Sequence, residues 1–231
     1  MRFSFYNGEL ADLDVDLLAV FVFEEQRAEA RELTSLDRRF EGGLSRLLDE
    51  EKFEGKAKQV ALVHTHGIVT PRRLLFIGLG KREDFEVPDT RQAGASVISN
   101  ADQVHAKKIA SILPPLDASA AERATGFLAE GMLAADYRFE RFRAEEERRK
   151  TRVEQVQIVL AGDSPPHLAV SRAEIVGRAV NLARDLVNEP PAELTPVKLA
   201  EFAQEMATKN ELDCKVLGPK ECEKQNMRLF M

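Results

Sequence analysis

Short apolar runs alternate with segments of helical periodicity along the first 160 residues of the chain. Leu17–Phe23 is apolar at every position, which is typical of a strand that is buried on both faces of a sheet. The other strand-like segments contain shorter uninterrupted apolar stretches and are bounded by Gly, Pro or charged residues. This pattern predicts strands at Arg2–Tyr6, Leu17–Phe23, Gln59–His64, Arg73–Gly80, Lys108–Leu113 and Val153–Gly162.

Between these strands, apolar residues recur at spacings of three and four, the periodicity of amphipathic helices. Helices are predicted over Leu33–Glu50, where Gly42-Gly43 interrupts the repeat, over residues 89–105 with Asp89 as the N-cap, and over Ala118–Tyr137. Alternating strands and helices indicate an α/β domain with helices on both faces of a largely parallel or mixed sheet. The residues predicted to face the core from the third helix are Phe127, Leu128, Met132, Leu133 and Ala135.

A longer helical repeat follows, from Pro166 to Val187, and predicts a continuous helix over residues 166–188 of about six turns. Pro190-Pro191 ends it, because the residue before a proline is pushed toward extended geometry. Thr195 is then predicted to cap a new helix whose first residue is Pro196. The domains predicted on this basis are residues 1–164, a linking helix over 165–188, and the start of a second α/β domain over 189–231.

The second α/β unit is predicted to continue beyond its first helix. Leu199, Phe202, Ala203 and Met206 form the apolar stripe of that helix. The elements predicted after it are a strand at Cys214–Gly218, a short helix from Pro219, and the start of another strand from Arg228. We expect this tail to be poorly ordered or buried against another copy of the chain, because its apolar residues and strand edge need further partners.

Composition narrows the class of protein. Hydrophobic residues make up 44% and charged residues 31% of the chain, which is ordinary for a globular domain. A net charge of −6 does not favour nucleic acid, and Glu145-Glu146-Glu147 would repel phosphates from the charge-dense segment Arg138–Arg152, which is interpreted as a solvated helix end and hairpin. The longest apolar run is too short to span a membrane, and the N-terminus has no apolar signal core. Two cysteines without a disulfide framework suit a reducing compartment, so a cytoplasmic location is expected.

Four short patterns offer candidate chemistry. His64 and His66 share one face of a strand and could begin a metal site, although such a site needs three or four ligands. Cys214 and Cys222 are eight residues apart and are interpreted as structural thiols rather than zinc ligands. Gly42-Gly43 could cradle a diphosphate as in macro-type modules, but the pair does not directly follow a strand. Phe76–Lys81 resembles a P-loop without its spacing or its Lys-Ser/Thr ending.

One passage carries a family resemblance. The sequence NLARDLVNEPPAELTPVKLAEFAQEMA, residues 181–207, resembles the opening of the catalytic domain in the leucyl aminopeptidase (cytosol aminopeptidase) family. Lys215-Val216-Leu217 and Asn226-Met227 stand where that family has a V-L strand and a GM turn, with Asn226 in place of the usual glycine. Phe76–Asp84 and Asp136–Phe142 match weaker features upstream, so the resemblance covers nearly the whole chain.

The resemblance implies a macro-like N-terminal α/β domain and a catalytic domain that holds two divalent metal ions, Zn or Mn, for peptide hydrolysis. It also implies peptide substrates and a homo-oligomer, a hexamer in the family. The family's ligands belong to a Lys…Asp-Ser-Gly-Gly passage and an Asp-Ala-Glu-Gly-Arg passage. Ala161–Pro166 has Asp-Ser without Gly-Gly, and Ala129–Met132 lacks the preceding Asp and the Arg.

Neither metal-binding passage is therefore present, and no catalytic or metal-ligating residue is assigned to this chain; its substrate-binding residues are unknown. The chain is expected to be the inactive N-terminal portion of a metallo-aminopeptidase, without a cofactor of its own. Two alternatives remain open, a macro-like nucleotide or nucleic-acid binding module and a structural oligomerisation domain. Continuation of the natural reading frame past Met231 would favour the peptidase.

Overall fold

A mixed six-stranded sheet organises the first part of the protein, whose computed structural model describes residues 1–25, 30–160, 165–227 and 229. Its strands, in chain order, are β1 Arg2–Tyr6, β2 Leu17–Phe23, β3 Val60–His64, β4 Arg73–Gly80, β5 Lys108–Ser111 and β6 Gln155–Val159. The spatial order is β1-β6-β5-β2-β4-β3, and β3–β4 is the antiparallel pair in an otherwise parallel sheet. The predicted strands and the α/β class are thus confirmed, with β5 ending at Ser111 and β6 beginning at Gln155. The proposed end of the last strand at Gly162 lies outside the described residues.

Helices cover this sheet and continue beyond it. Those with α geometry are α1 Arg31–Arg39, α2 Gly43–Glu50, α3 Thr90–Gln103, α4 Ala118–Asp136, α5 His167–Asn188, α6 Pro196–Lys209 and α7 Pro219–Lys224. The uninterrupted helix predicted over residues 166–188 is confirmed as α5, which begins one residue later. No helix in the described portion of the chain is both long and apolar enough to cross a membrane.

The single helix predicted over Leu33–Glu50 is wrong. Gly42 has a φ of +79°, a left-handed conformation that breaks the helix between α1 and α2. Leu44 and Leu48 of α2 are buried, whereas Leu47 is exposed. The sequence repeat therefore spans two short helices that turn at the glycine pair.

Asp89 does not cap α3 as predicted. Its backbone is already helical, because a 3₁₀ turn over Val87–Asp89 precedes α3. Its carboxylate accepts a hydrogen bond from the Glu86 N–H at 2.8 Å. The residue thus stabilises the turn that leads into α3, three residues earlier than expected.

The contact between α3 and α4 depends on glycines that let two backbones meet. A methyl group at Gly131 would lie 1.9 Å from the Arg91 carbonyl oxygen, and one at Gly94 would lie 2.3 Å from the Leu128 carbonyl oxygen. No side chain fits at either distance, so each helix needs a glycine facing the other. Among the side chains predicted to face the core from α4, Leu128 and Met132 are buried and the other three are partly buried.

The chain divides into two compact units, Met1–Asn181 and Leu182–Met231. In the second unit, the predicted cap of α6 is confirmed, because the Thr195 hydroxyl accepts a hydrogen bond from the Lys198 N–H at 3.3 Å. The short helix predicted from Pro219 is confirmed as α7. The domain limits drawn in the sequence analysis stay a prediction.

The strand predicted at Cys214–Gly218 is wrong. Residues 212–218 belong to neither a helix nor a strand. A strand exists through its ladder of hydrogen bonds to a neighbour, and the described part of this unit supplies none. The strand expected from Arg228 lies, apart from Leu229, outside the described residues.

Candidate functional site

Ligands of open α/β sheets bind most often at the carboxyl ends of parallel strands. At the end of β4, the P-loop-like glycines are used for backbone packing. The Gly78 N–H donates to the Gln59 carbonyl at 2.8 Å and the Gly80 N–H to the Gly55 carbonyl at 2.9 Å. A methyl group at Gly78 would lie 2.1 Å from the Lys56 carbonyl oxygen. These glycines let the preceding loop approach β4, and their amides are not presented to a phosphate.

The Gly42-Gly43 pair opens α2, as a diphosphate cradle would require. However, the Asp37 carboxylate already accepts hydrogen bonds from the N–H groups of Leu44 and Ser45, at 2.9 and 3.1 Å. The Ser45 hydroxyl donates to the same carboxylate at 2.6 Å. An anion belonging to the chain thus satisfies the amides that a phosphate would need. This geometry does not favour nucleotide binding at the glycine pair.

His64 is the last residue of β3, whereas His66 lies in the turn after it with a φ of +49°, so the two do not share a strand face as predicted; their ring centroids are 6.1 Å apart and both are exposed. The described residues contain no group of three or more His, Cys, Asp or Glu side chains placed to hold a metal ion. The expectation that this chain holds no metal stays a prediction.

The remaining candidates from the sequence either have no catalytic neighbours or lie outside the residues that the structure describes. Cys214 and Cys222 are free thiols, the first exposed and the second half-buried. Ala129–Met132 lies within α4, where Gly131 meets α3. Asp163 and Ser164 of the Asp-Ser candidate lie outside the described residues. No catalytic role follows for any of them.

Sequence reasoning missed a charged cluster that ties the segment after α4 to the rest of the unit. Arg149, only 11% exposed, forms ion pairs with Asp102 of α3 and with Asp136, the latter at 2.9 Å. Arg138 also pairs with Asp102, at 3.2 Å. Burial raises the pKa of the Asp102 carboxyl, although Arg149 and Arg138 act in the opposite direction. Charge density pointed to a solvated segment, and only tertiary structure shows which cation is buried.

Two shallow cavities of about 250 Å³ lie in the first unit. One lies beside Arg39 and the 67–70 turn. The other is lined by Asp14, Lys108 and Gln155 at the amino ends of β5 and β6, the edge opposite to the usual ligand site. Small-molecule pockets are larger and mainly apolar, so neither cavity indicates a substrate site.

Comparison with known families gives two successive matches along the chain. Residues 19–146 match the N-terminal domain of the cytosol aminopeptidase family, and residues 181–231 match the catalytic domain of the same family. The second match includes the ARDLVNEP and LTP passages.

Individual relatives agree with these matches. A probable cytosol aminopeptidase from Rippkaea orientalis is 33% identical over 225 residues, which cover 97% of this chain and 45% of that protein. One from Alkaliphilus metalliredigens is 28% identical and is covered to 47%. The chain thus spans less than half the length of these relatives.

Solved structures show the same relation. A variant of tomato leucine aminopeptidase superimposes with a TM-score of 0.86 at 26% identity, over 97% of this chain and 46% of that one. A bottromycin maturation enzyme superimposes with a TM-score of 0.67 at 22% identity, over 90% of this chain and 40% of its own, and shows the fold alone.

Proposed function

Because the chain belongs to the cytosol aminopeptidase family, we propose that it is the N-terminal portion of a metal-dependent leucyl-type aminopeptidase, which removes N-terminal amino acids from peptides. The observation that carries the proposal is the order of the two matches. An N-terminal domain is followed, in the same chain, by the first 51 residues of the catalytic domain, 181–231.

Catalysis in this proposal depends on residues that follow the matched segment. Two divalent ions, Zn or Mn, would activate water there, and two-metal hydrolysis needs several converging ligands. The described residues do not fit such a centre, because they bring no three suitable side chains together. We therefore assign no catalytic step to this chain and propose that, alone, it is inactive.

The setting of the parent enzyme is also part of the proposal. We place it in the cytoplasm and in a homo-oligomer, as a hexamer like others of its family. The name shared by the relatives and the free thiols of Cys214 and Cys222 support the location. For the first unit of this chain, Met1–Asn181, we propose a role in positioning and assembly of the parent enzyme rather than in catalysis.

The test compares the chain alone with a reconstituted enzyme. The purified 231-residue chain and leucine p-nitroanilide are incubated with added Zn or Mn, with and without a chelator. A second sample contains this chain co-expressed with the remaining sequence of the Rippkaea relative, and that remaining part alone is the control. We expect chelator-sensitive turnover in the co-expressed sample only. Turnover by the chain alone, or a stable complex of the two parts without turnover, would contradict the proposal.

A further inference from the structure

Strand β3 is an edge of the sheet and has β4 as its neighbour on one side. The Thr65 N–H donates to the Arg72 carbonyl at 3.2 Å, so Thr65 belongs to a residue pair that is hydrogen-bonded across the two strands. Such pairs recur at every second residue of an antiparallel ladder. The backbone N–H and C=O groups that point away from β4 are therefore those of Val60, Leu62 and His64.

Between Val60 and His64, this edge has no proline, no lysine and no bulge, three of the features that usually protect an edge strand; the left-handed Lys58, with a φ of +66°, lies just before this segment. Proteins use proline, an outward lysine, a bulge or a covering segment for that purpose. The sequence VALVH contains neither proline nor lysine, and its register against β4 is regular from Val60 to His64. The edge is thus geometrically ready to accept another strand.

An apolar stripe accompanies the open edge. Val60 and Leu62 are each 38% exposed, whereas Ile77 and Leu75, which lie directly opposite them on β4 and on the same face, are 2% and 0% exposed. The layer that covers β4 therefore ends before β3. A side chain on an added strand would pack against Val60 and Leu62 at the usual cross-strand distance.

Hydrogen-bond donors lie at both ends of the stripe. Lys58 stands at the amino end, and His64, His66 and Arg73 at the carboxyl end, where Arg73 is directly opposite His64 in the register. The buried Nε of Arg73 has no hydrogen-bond partner in the described part of the chain. These four side chains also form no ion pair with a described carboxylate, unlike nearby Lys56, which pairs with Glu54.

We propose that β3 is a docking edge for an extended segment of another protein, which adds to the sheet as a further strand. The segment has the pattern acidic–x–apolar–x–apolar–x–acidic. Backbone hydrogen bonds to Val60, Leu62 and His64 supply affinity, as in other cases of strand addition. The apolar pair packs on the stripe, and the terminal carboxylates accept from Lys58 at one end and Arg73 at the other.

The cationic side chains at the two ends of β3 distinguish this acidic partner from two alternatives, a second copy of the chain and a nucleic acid. In an antiparallel pairing of two β3 strands centred on Leu62, His66 of one copy would face Lys58 of the other, and no carboxylate would meet either. Nucleic acid would satisfy Lys58 and Arg73 but would leave the apolar stripe and the outward N–H groups unused. An added strand with the acidic–apolar pattern pairs with the cationic side chains, covers the apolar stripe and bonds the outward N–H groups.

The experiment measures binding of a fluorescein-labelled peptide, Glu-Thr-Val-Thr-Leu-Thr-Glu, to the full chain by fluorescence anisotropy. One control peptide has Lys in place of both Glu residues, and two others are N-methylated at the odd or the even positions. We expect binding of the acidic peptide, none of the charge-reversed one, and loss of binding for the N-methylated peptide whose blocked amides face β3. In hydrogen exchange, the amides of Val60, Leu62 and His64 should slow about tenfold or more when the peptide binds.

Matched substitutions separate the edge from general charge effects. Lys58→Glu should weaken peptide binding about tenfold, and Leu62→Thr should also weaken it, whereas Arg123→Glu on the exposed face of α4 should leave it unchanged. Equal binding of the two charge types, or binding without protection of the three amides, would overturn the proposal. So would slow exchange of these amides in a dimer without peptide, or displacement of the peptide by a single-stranded oligonucleotide that binds more tightly.

Discussion

The two compact units have similar apolar patterns in sequence but bury them to very different degrees. In the sheet unit, every residue of β2 is at most 2% exposed. In the second unit, Val187 is 84% exposed and Leu212 is 59% exposed, although α6 forms as predicted with its Thr195 cap. Local signals thus set where a helix begins, while burial requires a second layer that covers it.

The difference in burial between the two units distinguishes the contribution of short-range interactions to structure from that of long-range packing. The sheet unit has helices and strands that cover one another, so a change in its core should affect the whole unit. In the second unit, most described large apolar side chains keep some exposure, and α6 has the Thr195 cap and Pro196 at its first position. Substitutions should therefore have larger and more cooperative effects in the first unit than in the second.

The largest effect is expected for Gly131→Ala. The new methyl group would meet the backbone carbonyl of Arg91 at 1.9 Å, so α3 and α4 must move apart. We expect a loss of about 3 kcal/mol in the free energy of unfolding, at the upper end for overpacking. Gly126→Ala on the same helix is the control, because its methyl group would find its nearest neighbour at 3.7 Å and should be neutral or stabilising. Chemical denaturation measures both, and equal effects would refute the close contact.

Arg149→Ala should cost about 2 kcal/mol, less than a fully buried ion pair because the cluster keeps some exposure. The substitution leaves the Asp102 and Asp136 carboxylates, each 18% exposed, without their main cation. The pKa of Asp102 should then rise further, and its protonated form should be favoured in the folded state. Thermal unfolding between pH 7 and pH 4 should show part of the lost stability returning as the pH falls. Arg148→Ala, an exposed neighbour, should have little effect at any pH.

Limited proteolysis tests the comparison between the units directly. We expect cleavage between Glu189 and Met231 about tenfold faster than within residues 1–160, a ratio equivalent to about 1.4 kcal/mol in opening free energy. Mass spectrometry of the early fragments locates the cuts. Equal protection of both regions in a monomeric sample would show that the second unit is stabilised without partners.

Thr195→Ala should cost about 1 kcal/mol through loss of the cap on α6. The Lys198 N–H would lose its acceptor, and the effect should remain local to the second unit. Hydrogen exchange should increase in the first turn of α6 and stay unchanged in β2. Thr195→Ser keeps the hydroxyl and should restore protection, whereas an unaltered first turn in the alanine variant would contradict the assignment.

The smallest effect, about 0.5–1 kcal/mol, is expected for Asp16→Asn, since it replaces charge-assisted hydrogen bonds by neutral ones. Burial alone would raise the pKa of the Asp16 carboxyl, but the N–H groups of Lys108 and Lys107 and the charge of Arg72 outweigh it and hold the pKa below 3.8. The stabilisation from Asp16 is therefore present above pH 3.8 and is lost as the pH falls through the folded-state pKa. Unfolding curves of the two proteins should differ at pH 6 and converge as the pH falls below the folded-state pKa of Asp16; a constant difference would exclude this carboxylate as the cause.

The sequence predicts those parts of the fold that depend on interactions between residues close in sequence, and it predicts less well those that depend on distant partners. The strands of the sheet are predicted by short apolar runs, and the N-cap of α6 is predicted by Thr195-Pro196, because both signals are local. The break between α1 and α2 was visible as Gly42-Gly43, but the apolar repeat across it concealed two helices. Cys214–Gly218 has the composition of a strand, yet the partner that would make it one is not encoded in that stretch.

The candidate sites show the same limit. The glycine pair was recognisable, while the Asp37 carboxylate, which accepts hydrogen bonds from the N–H groups of Leu44 and Ser45, becomes apparent only from the turn between α1 and α2. Arg149 could not be told apart from its charged neighbours by sequence. The open edge of β3 likewise emerges only from strand order.

Strand order also dictates a sequence of events during synthesis. β1 is at the edge of the sheet and pairs with β6, and the Ser4 hydroxyl bonds the Val156 carbonyl across 152 residues. At about 5–20 residues per second, a ribosome needs roughly 8–30 s to make that intervening chain. Strand β1 therefore stays without its partner β6 while β2, β4 and β5 are already made. For that interval β5 is a second open edge of the growing sheet, and β1 can join the sheet only after β6 has been made.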